Sequence, residues 1–376
     1  MTSRSVRGLL SKLLAVSLYY SGLVPLVRWG RRRMRPRLLI LVYHRSSGEP
    51  LRRQLRYLRR HYRVLPLEQA LEELYGGGDG AGAAGDSRTP LSITFDDGYL
   101  DTYLHAAAQA RELQVPITVF LVPGYTEAQE NFWWYETARL ARKARVGAAT
   151  VAGRTYVLGN PRHRRQLAGA LYEVTQRCGS VAERESFLAR AREMLDVDRE
   201  TESQDPGARP VTWGEVGAMR EGGWTSFGAH TLHHPVLAHL EDPAELKREV
   251  GDSRRLLERR LGDTVRCFAY PLGRAEHIGP DGVRAVRAAG YEWALTTQRG
   301  VNSPRTNPYL LRRIGVGGEQ DWLVLAAELA GVWPMTAVRK LLRSAPISLR
   351  SRDRKMPRAR GEAKASLSIE FVNGGR

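Results

Sequence analysis

Residues 91–101, Leu-Ser-Ile-Thr-Phe-Asp-Asp-Gly-Tyr-Leu-Asp, constrain the fold of this 376-residue chain more than any other stretch. Leu91 to Phe95 is a short apolar run with a β-branched centre, the pattern of a buried strand. It ends on two adjacent carboxylates, Asp96 and Asp97, and Gly98 then lets the backbone turn sharply. Beyond the turn the apolar spacing through Tyr103, Ala107 and Ala110 is helical. Acids at the exit of a buried strand face the mouth of an α/β sheet or barrel, where ligands gather. Neighbouring carboxylates repel each other, so the pair is expected to serve a bound cation. The plainer alternative is an Asp-Asp-Gly turn that closes a strand.

The same alternation recurs along the chain. Strand-like runs at 38–43, 117–122, 224–228, 266–270, 291–295 and 310–316 are separated by helical patterns, among them 51–61, 67–75, 281–289 and 320–331. Thr212-Trp-Gly-Glu215 is a capping box. Asp242-Pro243-Ala-Glu245 supplies an N-cap, Pro at N1 and an acid at N3 for a helix to about Leu261. Strands alternating with helices predict an α/β fold built on a parallel sheet or barrel. Residues 127–208 depart from this pattern. They are rich in Arg, Ala and Glu, with helical spacing around 134–144, 164–177 and 180–195, and predict a mostly helical insertion. Its Phe132, Trp133 and Trp134 are expected to pack the insertion onto the body, with stacking on sugar faces as the alternative. The Gly/Ala/Asp stretch 76–88 reads as a flexible loop without catalytic meaning.

The net charge of +18 lies at the two ends. The first 60 residues hold fifteen Lys and Arg against one acid, Glu49, and residues 339–364 hold ten against two. The body between is mildly acidic, so basic ends touching an anionic surface fit better than a nucleic-acid-binding core. No helix-turn-helix, zinc-finger or RNA-recognition pattern accompanies the charge, and no nucleic-acid partner is expected. Residues 1–37 combine Arg4, Arg7 and Lys12, an apolar run from Leu13 to Val27, and a second basic cluster from Arg28 to Arg37. That apolar run is shorter than the ~20 residues a membrane span needs. It predicts a membrane-associated protein, held by a helix lying in the membrane interface or by a short N-terminal anchor; a buried accessory helix is the third option. The domain plan is therefore a membrane-associating segment 1–37, a catalytic domain 38–335 and a basic, disordered tail 336–376. Cys178 and Cys267 lack metal-knuckle spacing and imply no disulfide framework.

His230 and His234 stand four apart, so on one helical turn both imidazoles would point to one side. With Asp97 they would make a two-histidine, one-carboxylate face with open positions, suited to Zn²⁺ or another divalent transition metal. His233, between them, is expected to point elsewhere. Phe268-Ala-Tyr-Pro-Leu-Gly273 reads as a strand running into a Pro-Gly turn.

Taken together, Thr94-Phe-Asp-Asp-Gly-Tyr99, His230-Thr-x-x-His234-Pro235 and Phe268-Ala-Tyr-Pro-Leu-Gly273 resemble, in this order, the motifs of the polysaccharide deacetylase family (carbohydrate esterase family 4, the nodulation-protein deacetylase fold). Tyr43-His44 and Leu311-Arg-Arg-Ile314 are similar to its exopolysaccharide-type subgroup. The resemblance covers about 38–125 and 210–320. It implies a distorted (β/α) barrel of about seven strands, with the helical insertion and the basic terminal extensions outside its core. It also implies metal-dependent removal of N-acetyl groups from an N-acetylated glycan. By the same resemblance Asp97, His230 and His234 hold a divalent metal, Zn²⁺ before others, and Asp96 is the general base. The backbone N–H of Leu272 is implied as an oxyanion donor. The chain departs from the commoner family pattern at Ala269, where an arginine is usual, and in having no histidine after His277. The subgroup's early histidine then implies His44 as the general acid; Arg312 or Arg313 is expected to orient Asp96. Two other readings compete: deacylation of a lipid-linked amino sugar at the membrane, and an inactive, membrane-bound polysaccharide-binding scaffold. Retention of Asp96, Asp97, His230 and His234 together argues against the scaffold.

Overall fold

The computed structural model describes residues 3–32, 37–45, 48–76, 86–199, 205–332 and 369–370. Most of the 76–88 loop and the 336–376 tail, Ile369–Glu370 apart, lie outside the described residues. Two compact units are present, Met1–Arg31 with Leu323–Ser368, and Arg32–Trp322 with Ile369–Arg376. In the first, helices α1 (Ser3–Tyr20) and α2 (Leu23–Arg32) bury Ala15 and Val24 and expose Leu13, Tyr20, Leu26 and Trp29. Among the described residues no helix is long and apolar enough to cross a membrane.

The second unit carries the site. In chain order it comprises β1 (Leu39–Tyr43), α3 (Gly48–His61), β2 (Arg63–Val64), α4 (Leu67–Tyr75) and β3 (Pro90–Phe95). A π-helical turn, Thr102–Ala107, then runs into α5 (Ala108–Leu113), followed by β4 (Ile117–Leu121) and α6 (Pro123–Ala128). The insertion holds α7 (Trp133–Lys143), β5 (Ala148–Val151), β6 (Arg154–Val157), α8 (Pro161–Gln176) and α9 (Val181–Met194). Alternation resumes with α10 (Trp213–Glu221), β7 (Thr225–Ala229), α11 (Pro243–Leu261), β8 (Cys267–Ala269), α12 (Ala275–Ala288), β9 (Trp293–Arg299) and β10 (Leu311–Gly315). Helix α13 (Trp322–Ala330) follows and from Leu323 on belongs to the first unit.

Seven strands, all parallel, close into a barrel in the order β1-β10-β9-β8-β7-β4-β3, with β3 pairing back onto β1 and β2 added beside β3. This is the expected α/β barrel. Strands β1 and β4 are buried along their whole length, as interior side chains on one face and covering helices on the other require. Register does the rest. Tyr43 pairs with Phe95, and Leu121 with Ala229, which in turn pairs with Phe268. Parallel strands in these registers release His44, Asp96 and His230 at one end of the barrel. Along the strands Ile40, Phe120, Cys267, Ala269, Leu295 and Leu311 form one buried cluster. The period-2 alternation carries the same face on to Thr94, Asp96 and Arg313 at the mouth.

Both anticipated helix starts form. Thr212 and Glu215 make a reciprocal capping box, and Asp242 accepts from Ala244 N–H and Glu245 N–H. The insertion is less purely helical than its composition suggests. Residues 148–157 form a hairpin, β5 antiparallel to β6, closed by Ala152 and Gly153 in the left-handed region (φ 49° and 73°). That two-residue turn matches the twist of paired strands. Ile369–Glu370 (β11) pairs antiparallel with β5. The insertion builds its own core from Leu140, Leu167, Leu171, Phe187 and Leu188, continuous with Tyr99, Val122 and Tyr125 of the body.

Candidate metal and catalytic site

Asp96 leaves β3 with its N–H donating to Tyr43 O (2.9 Å), so the first site residue is fixed by the sheet itself. The next two residues, Asp97 and Gly98, both take φ 72°. This reverses the chain and breaks the side-to-side alternation of the strand, so both carboxylates meet the charge of His230. Asp96 is buried and receives a two-pronged guanidinium from Arg313, Nη1 to Oδ1 and Nη2 to Oδ2, each 2.7 Å. Arg313 also donates to Thr94 Oγ1 (3.2 Å) and Thr296 O (2.9 Å), and is itself fully buried. Burial would raise the Asp96 carboxyl, but the charges of Arg313 and His230 and the hydrogen bond from Arg313 outweigh it and hold the acid below its usual range. Of the two candidate orienting residues, Arg313 meets Asp96 and Arg312 does not. Leu311 and Arg313 share the inward face of β10, so strand alternation turns Arg312 out to solvent.

His230 and His234 do converge, though not on a helical turn. Both lie in a coil segment after β7, in which Thr231 (φ 61°) and His234 (φ 57°) are left-handed. The segment is closed locally by Thr231 Oγ1, which accepts from His234 N–H (2.9 Å). His230 donates its Nδ1–H to Ala269 O (2.7 Å), which turns Nε2 toward Asp97 Oδ1 at 3.5 Å. His234 Nε2 lies 3.6 Å from the same oxygen. One ligand atom from each of Asp97, His230 and His234 lies within 4.8 Å of the other two, and all three residues are buried. His233 points away, as expected, and bonds Glu249 Oε1 through Nδ1 (2.7 Å).

The donor set fits a divalent cation. Burial, with His230 beside it, pushes His234 down to about 3, so its imidazole is neutral, the form that ligates. Burial alone would raise Asp97, but the hydrogen bond from His230 and the charges of His44 and His230 hold it well below the usual carboxylate range. Burial also disfavours a charge on His230, yet Asp97 and Asp96 outweigh it and raise that imidazole. Two buried histidines and two ionised acids around one point make a site whose charge a cation completes.

The rim carries the remaining expected residues. His44 is exposed at the end of β1, near enough for its charge to act on both Asp96 and Asp97. Leu272 takes φ 58°, and its carbonyl accepts from Thr297 Oγ1 (2.7 Å). Its N–H has no acceptor among the described residues. Among the described residues, four of the eight non-glycine residues with positive φ are Asp97, Thr231, His234 and Leu272, so backbone strain concentrates here. The sequence marked Trp134 for packing or for stacking on sugar faces, but not as a neighbour of His234. Trp134, half-buried, sets its ring 4.5 Å from that of His234 and donates Nε1–H to Tyr99 OH (2.7 Å). Phe132 and Trp133 are buried and pack the insertion onto the body, as expected. Beside His44, Arg45 binds Asp101, Tyr135 and Asp205 and lies over the Tyr99 ring.

Residues 84–294, more than half of the chain, match the model of the polysaccharide deacetylase family. The chain belongs to that family, which is one of hydrolases. Over 91 residues it is 29% identical to YxkH of Bacillus subtilis (strain 168), named as a polysaccharide deacetylase; the match covers 24% of this chain and only 31% of YxkH. Among solved structures, the Streptococcus pyogenes deacetylase PplD in complex with acetate has the same fold. Its TM-score is 0.50 at 17% identity, over 78% of this chain and 97% of that one. IcaB from Ammonifex degensii gives a TM-score of 0.48 at 19% identity, over 78% and 96%.

Proposed function

We propose that this chain is a metal-dependent hydrolase that removes N-acetyl groups from an amino-sugar polysaccharide, an exopolysaccharide or cell-wall glycan. One observation carries the reading. The trio Asp97, His230 and His234 converges beside a buried, ionised carboxylate, Asp96, that lies outside the trio. A divalent metal on that trio, Zn²⁺ by the donor set, would bring the pKa of a water toward neutrality and polarise the amide carbonyl. Asp96 takes the proton as the water oxygen adds to the amide carbon. Arg313 occupies one lone-pair direction on each Asp96 oxygen and leaves the others for that proton. Leu272 N–H donates to the carbonyl oxygen as it gains charge. His44 returns a proton to the nitrogen as the C–N bond breaks, and acetate and a free amine leave.

The test joins metal content to acetate release from N-acetylglucosamine oligomers. Wild type is expected to hold one metal and release acetate, and His230→Ala to lose both. His44→Ala should keep its metal while turnover falls by about 10²–10⁴. A wild type that binds metal but releases no acetate would move the substrate to a lipid-linked amino sugar. One that binds no metal would leave only the glycan-binding scaffold.

The enzyme is proposed to work at an anionic membrane surface. Exposed Leu13, Tyr20, Leu26 and Trp29 in α1 and α2, with Lys12 and Arg28, support this as an interfacial segment. Full-length protein should sediment with phosphatidylserine vesicles, less at high salt, and lose this when residues 1–30 are removed. Equal sedimentation of the shortened protein would overturn the assignment.

A further inference from the structure

The segment bearing His230 and His234 has no strand or helix ladder of its own, and two of its residues are left-handed. Such a backbone holds one shape only where its surroundings over-determine it. Those surroundings can be named atom by atom. Glu249 of α11, buried, accepts Leu232 N–H and His233 N–H on Oε2 (3.1 and 2.8 Å) and meets the His233 ring on Oε1. Leu232 O accepts from Gly124 N–H (2.9 Å), and a side chain at Gly124 would overlap that carbonyl and the His233 ring. The next two carbonyls are held by the insertion. Arg184 of α9 donates Nη1–H to His233 O, and Trp133 of α7 donates Nε1–H to His234 O, each 3.1 Å. Arg184 is a buried cation, anchored to Glu185 and lying over the Trp133 ring. Burying a guanidinium against a backbone carbonyl gives a strong, directional hold.

We propose that Arg184 and Trp133, with Glu249, are positioning residues for the metal ligands. They fix the carbonyls and amides of residues 232–234 so that the Nε2 atoms of both histidines face Asp97. The insertion is thereby part of what sets metal affinity. The inference rests on the metal-site reading above and extends it to residues that touch neither metal nor substrate. Ligands held in place before binding bring affinity with them, and groups behind first ligands change it by about 10–100-fold.

The experiment measures Zn²⁺ affinity of the full chain by competition with a chromophoric chelator, and the visible spectrum of the Co²⁺-loaded protein. Arg184→Ala and Glu249→Ala should weaken Zn²⁺ by about 10–100-fold and alter the Co²⁺ bands. Glu249→Gln, which keeps an oxygen for the two amides, should recover most of the loss. Trp133→Phe removes one N–H and little volume, so it tests the same hold even if Arg184→Ala fails to fold; it should weaken Zn²⁺ less than Arg184→Ala does. Wild-type affinity and an unchanged Co²⁺ spectrum in Trp133→Phe and in folded Arg184→Ala would overturn the proposal while leaving the metal site standing. If wild type binds no Zn²⁺, or His230→Ala binds it equally well, the metal-site reading fails first and takes this inference with it.

Discussion

Arg313→Ala is expected to destabilise the barrel by about 3–5 kcal/mol, the range seen when one partner of a buried ion pair is removed. The mechanism is electrostatic. Asp96 sits in the interior with its carboxylate carried by two charge-assisted bonds from Arg313, and truncation leaves that charge in place without its counter-ion. Thr94 Oγ1 and Thr296 O lose a donor in the same step. The pair need not be stabilising as a whole, since burying two charges costs much of what their attraction returns. A double variant, Arg313→Met with Asp96→Asn, should therefore recover most of the loss. Urea unfolding of wild type, Arg313→Ala and the double variant at one pH decides the matter. A loss below about 1 kcal/mol in Arg313→Ala would mean that Asp96 reaches water, as surface pairs do.

Asp96→Asn is expected to cut acetate release by about 10²–10⁴ while metal content stays at the wild-type level. The two readouts separate because the two acids are separated. Asp97 turns through φ 72° toward His230 and His234, whereas Asp96 stays with the sheet and gives both oxygens to Arg313. Asparagine keeps the shape and removes the basic lone pair. Loss of metal in this variant would make Asp96 a ligand. Turnover within about tenfold of wild type would place the base elsewhere.

Much of this arrangement is written locally. Leu91 to Asp97 announces a strand that opens on a site, and the repeated strand–helix alternation announces a parallel barrel. The histidine pair was legible as a pair but not in its geometry. A four-residue spacing suggests a helical turn, whereas here Thr231 and His234 bend a coil to the same end. The choice between Arg312 and Arg313 was open to a simple argument, because Leu311 and Arg313 share one face of a period-2 strand. The hairpin at 148–157 also had its mark, β-branched residues on both sides of Ala152-Gly153. Glu249 and Arg184 had none, and Trp133 only the expectation that it packs the insertion onto the body. Their partners are backbone atoms far away in the chain, and no local pattern records which carbonyl a distant side chain will meet.

Because the ring of strands closes with β1 between β10 and β3, the acid and its cation belong to opposite ends of the catalytic unit: Arg313 stands 217 positions after Asp96. At roughly 5–20 residues per second, a ribosome makes the first of them some tens of seconds before the second. For that interval the growing chain has an acid destined for the interior and nothing to neutralise it. The last stave thus does two things when it arrives: it seals the ring and discharges the mouth. Activity and closure are completed by the same strand, so a molecule caught half-built has neither.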